Sequence, residues 1–219
     1  ANTIIENGQA VTFNVTNAAN LLIGTGVTVT NKNTVGVQIN GNGALQGTNA
    51  SSTWLQGTNA ILGYASDQVP MSTGVLDANT NNNTVNYNRA GNQNLKATSY
   101  RTLQLNNTSI KSIPSGGGNI LIENPFIIPN GVTFQVNNNN FTANGALTVN
   151  GIWEDNETGG TNSFNNTVTV SNTGTMRVNG ANTSFFAFVG DILNQGTFNL
   201  ANSTQWRFNG NLTIKNEST

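Results

Sequence analysis

Cysteine and histidine are both absent from the 219 residues, and charge is scarce: 8 Lys or Arg against 9 Asp or Glu. These absences remove His- and Cys-based zinc sites, Ser-His and Cys-His nucleophile pairs and all thiol redox chemistry. No disulfide framework exists, although missing cysteine does not by itself name a compartment. Eight scattered basic residues cannot supply the attraction that dominates nucleic-acid binding, so no nucleic-acid partner is expected. No apolar run approaches the length of a membrane span. Helix formers are outnumbered by Asn, Thr, Gly and Val, so little or no helix is expected.

Three small or polar residue types fill the space: 43 Asn, 30 Thr and 24 Gly. Leu, Ile, Val and Phe still number 54, enough for a core, and a net charge of -1 supplies no repulsion to hold the chain open. Short alternating runs follow turn dipeptides. Asn7-Gly8 leads into Val11–Val15, Thr25-Gly26 into Val27–Thr30, and Asn130-Gly131 into Val132–Val136. Asn144-Gly145, Thr173-Gly174, Gln195-Gly196 and Asn209-Gly210 introduce similar runs. Apolar side chains two apart are the mark of a strand with one buried face. Such strands fit an antiparallel sandwich or barrel, or a solenoid whose coils stack in parallel. The recurrence of one phrase at both ends, the short strands and the Asn at strand ends favour the solenoid. Asn tolerates left-handed corners, and its amide can bond to an Asn one coil above. The expected fold is all-β: a right-handed parallel β-helix with coils of about 20 residues. Gly145 and Gly174 are read as corner residues in a special backbone conformation. Residues 51–79, with Trp54, Tyr64, Pro70 and Met71, predict an irregular coil or excursion. The chain is read as a single solenoid over 1–219, with sub-regions 1–113 and 119–219 joined by a Gly-rich turn at 114–118.

One segment is more specific. Val85, Tyr87, Gly91, Gln93, Leu95, Ala97, Thr98, Tyr100, Leu103, Leu105, Lys111 and Ile113 stand in the order N-x-V-x-Y, G-x-Q-x-aliphatic, A-T-x-Y-x-x-L-x-L, K-x-aliphatic. This phrase resembles a repeat of giant secreted surface proteins and adhesins of Bacteroidetes-type bacteria. The runs 144–151 and 193–200 are similar to coils of the same family. The resemblance implies a parallel β-helix segment of an exported protein acting in adhesion, surface structure or extracellular filaments, with no catalytic motif to carry over. The family's export signal and C-terminal sorting domain do not stand in the sequence, which therefore reads as a piece of a longer polypeptide.

The densest acidic cluster, Glu154-Asp155-Asn156-Glu157, could offer oxygen ligands to calcium, but it lacks the order of an EF-hand or a calcium β-roll and reads as a solvated loop. Asp67, Asp77, Asp155 and Asp191 are too scattered to indicate a glycosidase or lyase pair. Thr-x-Thr pairs such as Thr28/Thr30, Thr167/Thr169 and Thr173/Thr175 invite an ice-binding reading, yet do not recur on every coil. Twelve N-x-S/T sites, among them Asn14, Asn49, Asn82, Asn140, Asn182 and Asn211, barely exceed what composition produces and carry no functional claim. Candidate contacts for a ligand or partner are aromatic: Trp54, Tyr64, Trp153 and Trp206, together with the apolar run containing Phe185, Phe186 and Phe188. Trp153 and Trp206 lie within strand alternation, where core filling or edge packing is favoured over exposure.

The functional expectation is a non-enzymatic structural or adhesive module of an extracellular, cell-surface protein or filament. It uses no cofactor or metal, and it associates with itself or with adjoining modules, or with surface glycans. A carbohydrate-binding β-helix is the alternative; a polysaccharide lyase or hydrolase and an ice-binding solenoid stand behind it.

Overall fold

The computed structural model describes residues 2–6, 8–16, 20–116, 118–156, 159–179, 184–201 and 205–214. Asn7, Glu157 and Asn182, named above, and Gly117 of the 114–118 turn lie outside the described residues. All assigned secondary structure among the described residues is β, in 28 strands of two to five residues. Every strand pair is parallel, and the strands stack as a β-solenoid of about 9 turns of roughly 23 residues.

Three faces emerge from the ladders. The first begins with the strands Asn2–Ile5, Thr28–Asn31, Thr53–Gln56 and Val75–Asp77. A bridge from Ala78 to Tyr100 hands it on to a six-stranded sheet that ends at Gln205–Phe208. The second face starts at Val11–Val15 and the third at Leu21–Ile23, and the chain visits the three in that order on each full coil. The register advances 26 residues from Asn2 to Thr28, 18 from Thr84 to Thr102 and 21 from Asn119 to Asn140. Coil length therefore varies around the expected value, and the corners absorb the difference.

Of the 51–79 segment expected to be irregular, only residues 65–74 form an excursion, because Thr53–Gln56, Ile61–Tyr64 and Val75–Asp77 are regular stacked strands. The third coil has no strand on the third face; the chain instead makes a series of turns between Ile61–Tyr64 and Val75–Asp77. Two backbone bonds, Ala65 N–H to Ile39 O and Met71 N–H to Leu45 O, keep this loop stacked on the coil beneath. The 114–118 corner carries no break in stacking: Tyr100 pairs with Ile122, and Ser112 with Gln135, on either side of it. The second face does have a seam. Thr102–Leu105 and Phe126–Ile128 lie in separate sheets. Phe126 N–H and Ile128 C=O both bond toward the next coil, so residues 125, 127 and 129 face the preceding one. Two of these are Pro125 and Pro129, which have no N–H to give.

Alternation places every second side chain inside. Tyr64, Tyr87 and Tyr100 pack edge to face, with centroids 5.9 and 6.2 Å apart. Further along, Phe126, Phe134, Phe141, Trp153 and Phe164 continue the column at 5.2 to 6.0 Å. Asn works the corners in two ways. Asn59, Asn107, Asn137 and Asn138 adopt positive φ. Amides also stack from coil to coil, as in Asn140 to Asn119 and Asn165 to Asn144, both at 2.8 Å.

Gly145 and Gly174 are required for a reason other than the expected one. Neither lies in the left-handed region. A Cβ on Gly174 would overlap the Val149 carbonyl oxygen, and one on Gly145 would overlap the Asn124 carbonyl and Pro125 N. These corners demand close approach of successive coils. Gly174→Ala should therefore lower stability by about 1–3 kcal/mol, as overpacking does, with urea denaturation as the check. An unchanged midpoint would mean the corner can open at no cost.

Candidate functional site on the third face

The structure corrects most of the aromatic candidates. Trp54, Tyr64, Trp153, Phe186 and Phe188 are all fully buried, because their register places them on inward rows. Trp54 stacks between Val29 and Leu76, and its indole N–H donates to Gln56 Oε1 at 2.9 Å. Trp153 stacks between Phe134 and Met176. None of the five can present a ring to a ligand. Phe185 is half-buried on the outward side, so the Phe185–Phe188 run obeys simple alternation. Only Trp206 of the set is exposed, at 51 %, in the same terminal coil as Phe208 and Leu212. The Thr28/Thr30 pair does face outward, but the coils above it offer Thr53/Leu55 and Val75/Asp77, so no threonine row forms.

Acids are spent on structure. Asp77 caps its own turn through Thr80, Glu123 accepts from Asn144, and Asp191 accepts from Asn211 N–H. Asp155 is buried and accepts from Asn162 and Ser184 at 3.0 and 2.8 Å. Glu154 is no solvated loop residue: it accepts from Gln135 at 2.6 Å, Asn179 at 2.9 Å and Asn156 at 3.1 Å, and pairs with Arg177 at 2.7 Å. Burial opposes its charge, but the bonds from Gln135, Arg177 and Asn156 and the Arg177 charge together hold the carboxyl below its ordinary value. A lowered folded-state value means stability present above about 4.5, the ordinary value, and lost as pH falls through the folded one. Acid titration of the denaturation midpoint should show this loss, and Glu154→Gln should flatten it. No cluster of three or more His, Cys, Asp or Glu converges among the described residues.

What the fold does build is a groove of about 500 Å³ and mixed polar and apolar lining on the third face. Its floor takes residues from the strands Gln93–Asn94, Ser109–Ser112 and Val132–Gln135, and Asp67 of the 65–74 excursion stands at its edge beside Arg89. The two pair at 3.3 Å. Beneath them Gln93 is buried, donating to Tyr64 O at 2.6 Å and Ser66 O at 3.0 Å while accepting from Arg89 N–H. Lys111 is buried too. Its ammonium donates to Arg89 O at 2.7 Å, Gln93 Oε1 at 3.1 Å and Gly91 O at 3.4 Å. Burial, with the nearby Arg89 charge, lowers Lys111 to about 8. It therefore still carries its proton at neutral pH, and the three oxygens around it compensate the desolvation. Lys96 ties the far end of the excursion, donating to Met71 O at 2.8 Å and Gly74 O at 3.4 Å.

From the groove a two-row strip runs toward the C-terminal coils. Asn94, Ser112, Gln135, Glu154, Arg177 and Asn199 stand in one register row. Ile110, Thr133, Ile152, Thr175 and Thr197 form the row beside it. Parallel stacking spaces the members of each row by about 4.8 Å.

Sequence reasoning assigned no site to this groove. A signal was present: Gln93 and Lys111 each sit two residues before an apolar residue, Leu95 and Ile113, and so occupy buried strand parity. A lysine on buried parity calls for a dedicated set of acceptors. By class, then, the chain is a parallel β-solenoid with a shallow groove on its third face. No protein family, curated protein or solved structure matches it.

Proposed function

We propose that this chain is a non-enzymatic structural and adhesive module of an extracellular surface protein or filament, a stiff rod that acts through its ends and outer faces. The observation that carries this reading is at the last described coil. Phe208 and Leu212 are 40 % and 48 % exposed, whereas Phe188 and Ile192, which precede them on the same inward rows, are buried. These are positions that a further stacked coil would cover, from an adjoining module or another copy. Support also comes from the chemistry of the stack. Its contacts are backbone ladders, amide pairs and aromatic packing, which need neither metal nor disulfide and hardly titrate near neutrality. The resemblance of the 83–113 phrase to bacterial surface repeats points the same way.

Antibody labelling of intact cells that produce the protein tests the placement. The reading requires label on the outside of unpermeabilised cells and loss of label after external protease. Label confined to permeabilised cells would overturn it.

A further inference from the structure

We infer that the solenoid consists of two ladder blocks, and that the joint between them, in the coils spanning residues 65–126, opens before either block does. This rests on the reading of the molecule as a stiff rod and adds the place where the rod yields.

The hydrogen-bond ladders locate the joint. On each face the stack is divided into two sheets, and all three divisions fall in the same part of the chain. On the third face the ladder stops at Leu45–Gly47 and resumes at Gln93–Asn94, with the excursion between. On the first face it stops at Val75–Asp77 and resumes at Ser99–Tyr100, crossed by the single bridge from Ala78 to Tyr100. On the second it stops at Thr102–Leu105 and resumes at Phe126–Ile128. The breaks climb the rod together, so each coil interface from the second coil to the sixth lacks one of its three ladders. Interfaces between the other full coils have all three.

Side chains replace many of the missing rungs. Four of the 8 Lys and Arg residues, Arg89, Lys96, Arg101 and Lys111, stand within this stretch. Each donates to a backbone carbonyl of the coil beneath: Arg89 to Ala65 O at 3.4 Å, Lys96 to Met71 O at 2.8 Å, Arg101 to Asn79 O at 3.1 Å and Lys111 to Arg89 O at 2.7 Å. Gln93 does the same to Tyr64 O and Ser66 O, and Thr98 to Leu76 O at 3.2 Å. Even the core is polar here, with the Tyr87 and Tyr100 hydroxyls bonded to each other at 2.9 Å.

These tethers are weaker fastenings than a ladder. A ladder bond forms together with its neighbours, whereas a long side chain gives up rotamer freedom for each bond it makes. Arg89, Lys96 and Arg101 are also only partly buried, so water competes for the carbonyls. On the second face the rungs themselves stay open. Asn106 N–H bonds to Tyr87 O in the coil beneath, so Leu103 and Leu105 turn their backbone groups toward the open edge. Across from them Pro125 and Pro129 have no N–H to offer, and a cleft of about 320 Å³ remains. Stacked arrays hold interface by interface, so the interfaces short of a ladder part first. A pull along the rod is relieved at the joint while both blocks keep their coils.

Amide hydrogen exchange of the purified protein, resolved by residue, tests this. Ladder-bonded amides of Thr84–Tyr87 and Ser109–Ser112 at the joint are compared with those of Thr28–Asn31 below it and Val168–Val170 above it. The inference expects the joint set to exchange at least tenfold faster than the two outer sets. Arg101→Met, which removes one tether, should speed the joint set at least fivefold more and leave the outer sets unchanged. Replacing Pro125 and Pro129 together by Val supplies the missing N–H groups and should slow the joint set at least fivefold. Asn165→Ala is the control: it removes the amide bond to Asn144, above the joint, and should not alter the joint set. Melting curves establish that each variant is folded; if Arg101→Met fails to fold, the wild-type rates and the proline pair decide. Equal rates in all three sets, an Arg101→Met effect spread evenly over them, or no slowing by the proline pair would each overturn the inference. Surface labelling depends on none of these rates, so the joint and the module can fail separately.

Discussion

Trp153→Ala should cost about 3–5 kcal/mol, well beyond the loss expected at the Gly174 corner. The indole is fully buried and meets Phe141, Phe164 and Phe186 at 5.8 to 6.0 Å, so it touches aromatic rings from three other strands of the column. Removing it leaves a cavity that rigid neighbours cannot close, because each is itself fixed by coils above and below. The response should be local, since coils of a solenoid couple chiefly to their neighbours. Hydrogen exchange should accelerate in residues 126–188 and stay close to wild type in residues 28–64. Trp153→Phe provides the contrast. The Trp153 indole N–H has no acceptor, so the smaller ring removes an unmet buried donor along with some packing. That variant should lose under about 1.5 kcal/mol. Phe185→Ala, on the outward side of its strand, should lose under about 1 kcal/mol.

Lys111→Met should produce the second large loss, about 3 kcal/mol, by a different route. Methionine fills much of the same space but cannot donate, so Arg89 O, Gly91 O and Gln93 Oε1 lose a shared charged donor together. Gln93 in turn holds Tyr64 O and Ser66 O, the residues at which the chain leaves the second face. The excursion should loosen, and limited proteolysis should cut within residues 65–74 before any other part of the chain. A Lys111→Met protein that is both as stable and as resistant as wild type would mean that the buried ammonium is not what frames the groove.

These two residues also mark what a reader of the sequence could and could not see. Val11–Val15, Val132–Gln135 and Leu147–Val149 announce themselves by alternation after a Gly corner, and a parallel stack follows from their shortness and recurrence. The excursion was visible as a lapse in that rhythm around Pro70 and Met71. Register was not visible. Trp153 faces inward because it sits one residue after Ile152 in a ladder with Thr133 and Thr175, and the pairing of those strands depends on corners that vary in length. Aromatic side chains were therefore expected at a surface that the fold does not give them. The groove was hidden for a related reason. Asp67, Arg89, Gln93 and Lys111 span three coils, and only stacking brings the excursion down beside the strands of the following coils. Corner glycines such as Gly174 were legible as essential, while the cause, contact with the coil beneath, required the register.

The rod and its open end are the centre of the account, and metal-shadowed electron microscopy of the purified protein tests them most directly. Nine turns at about 4.8 Å predict a particle about 43 Å long. With rising concentration the account expects straight rods that lengthen in multiples of that unit without thickening, and Phe208→Asp should hold them at one unit. Round particles of unchanging size at every concentration, or growth that ignores Phe208→Asp, would contradict it.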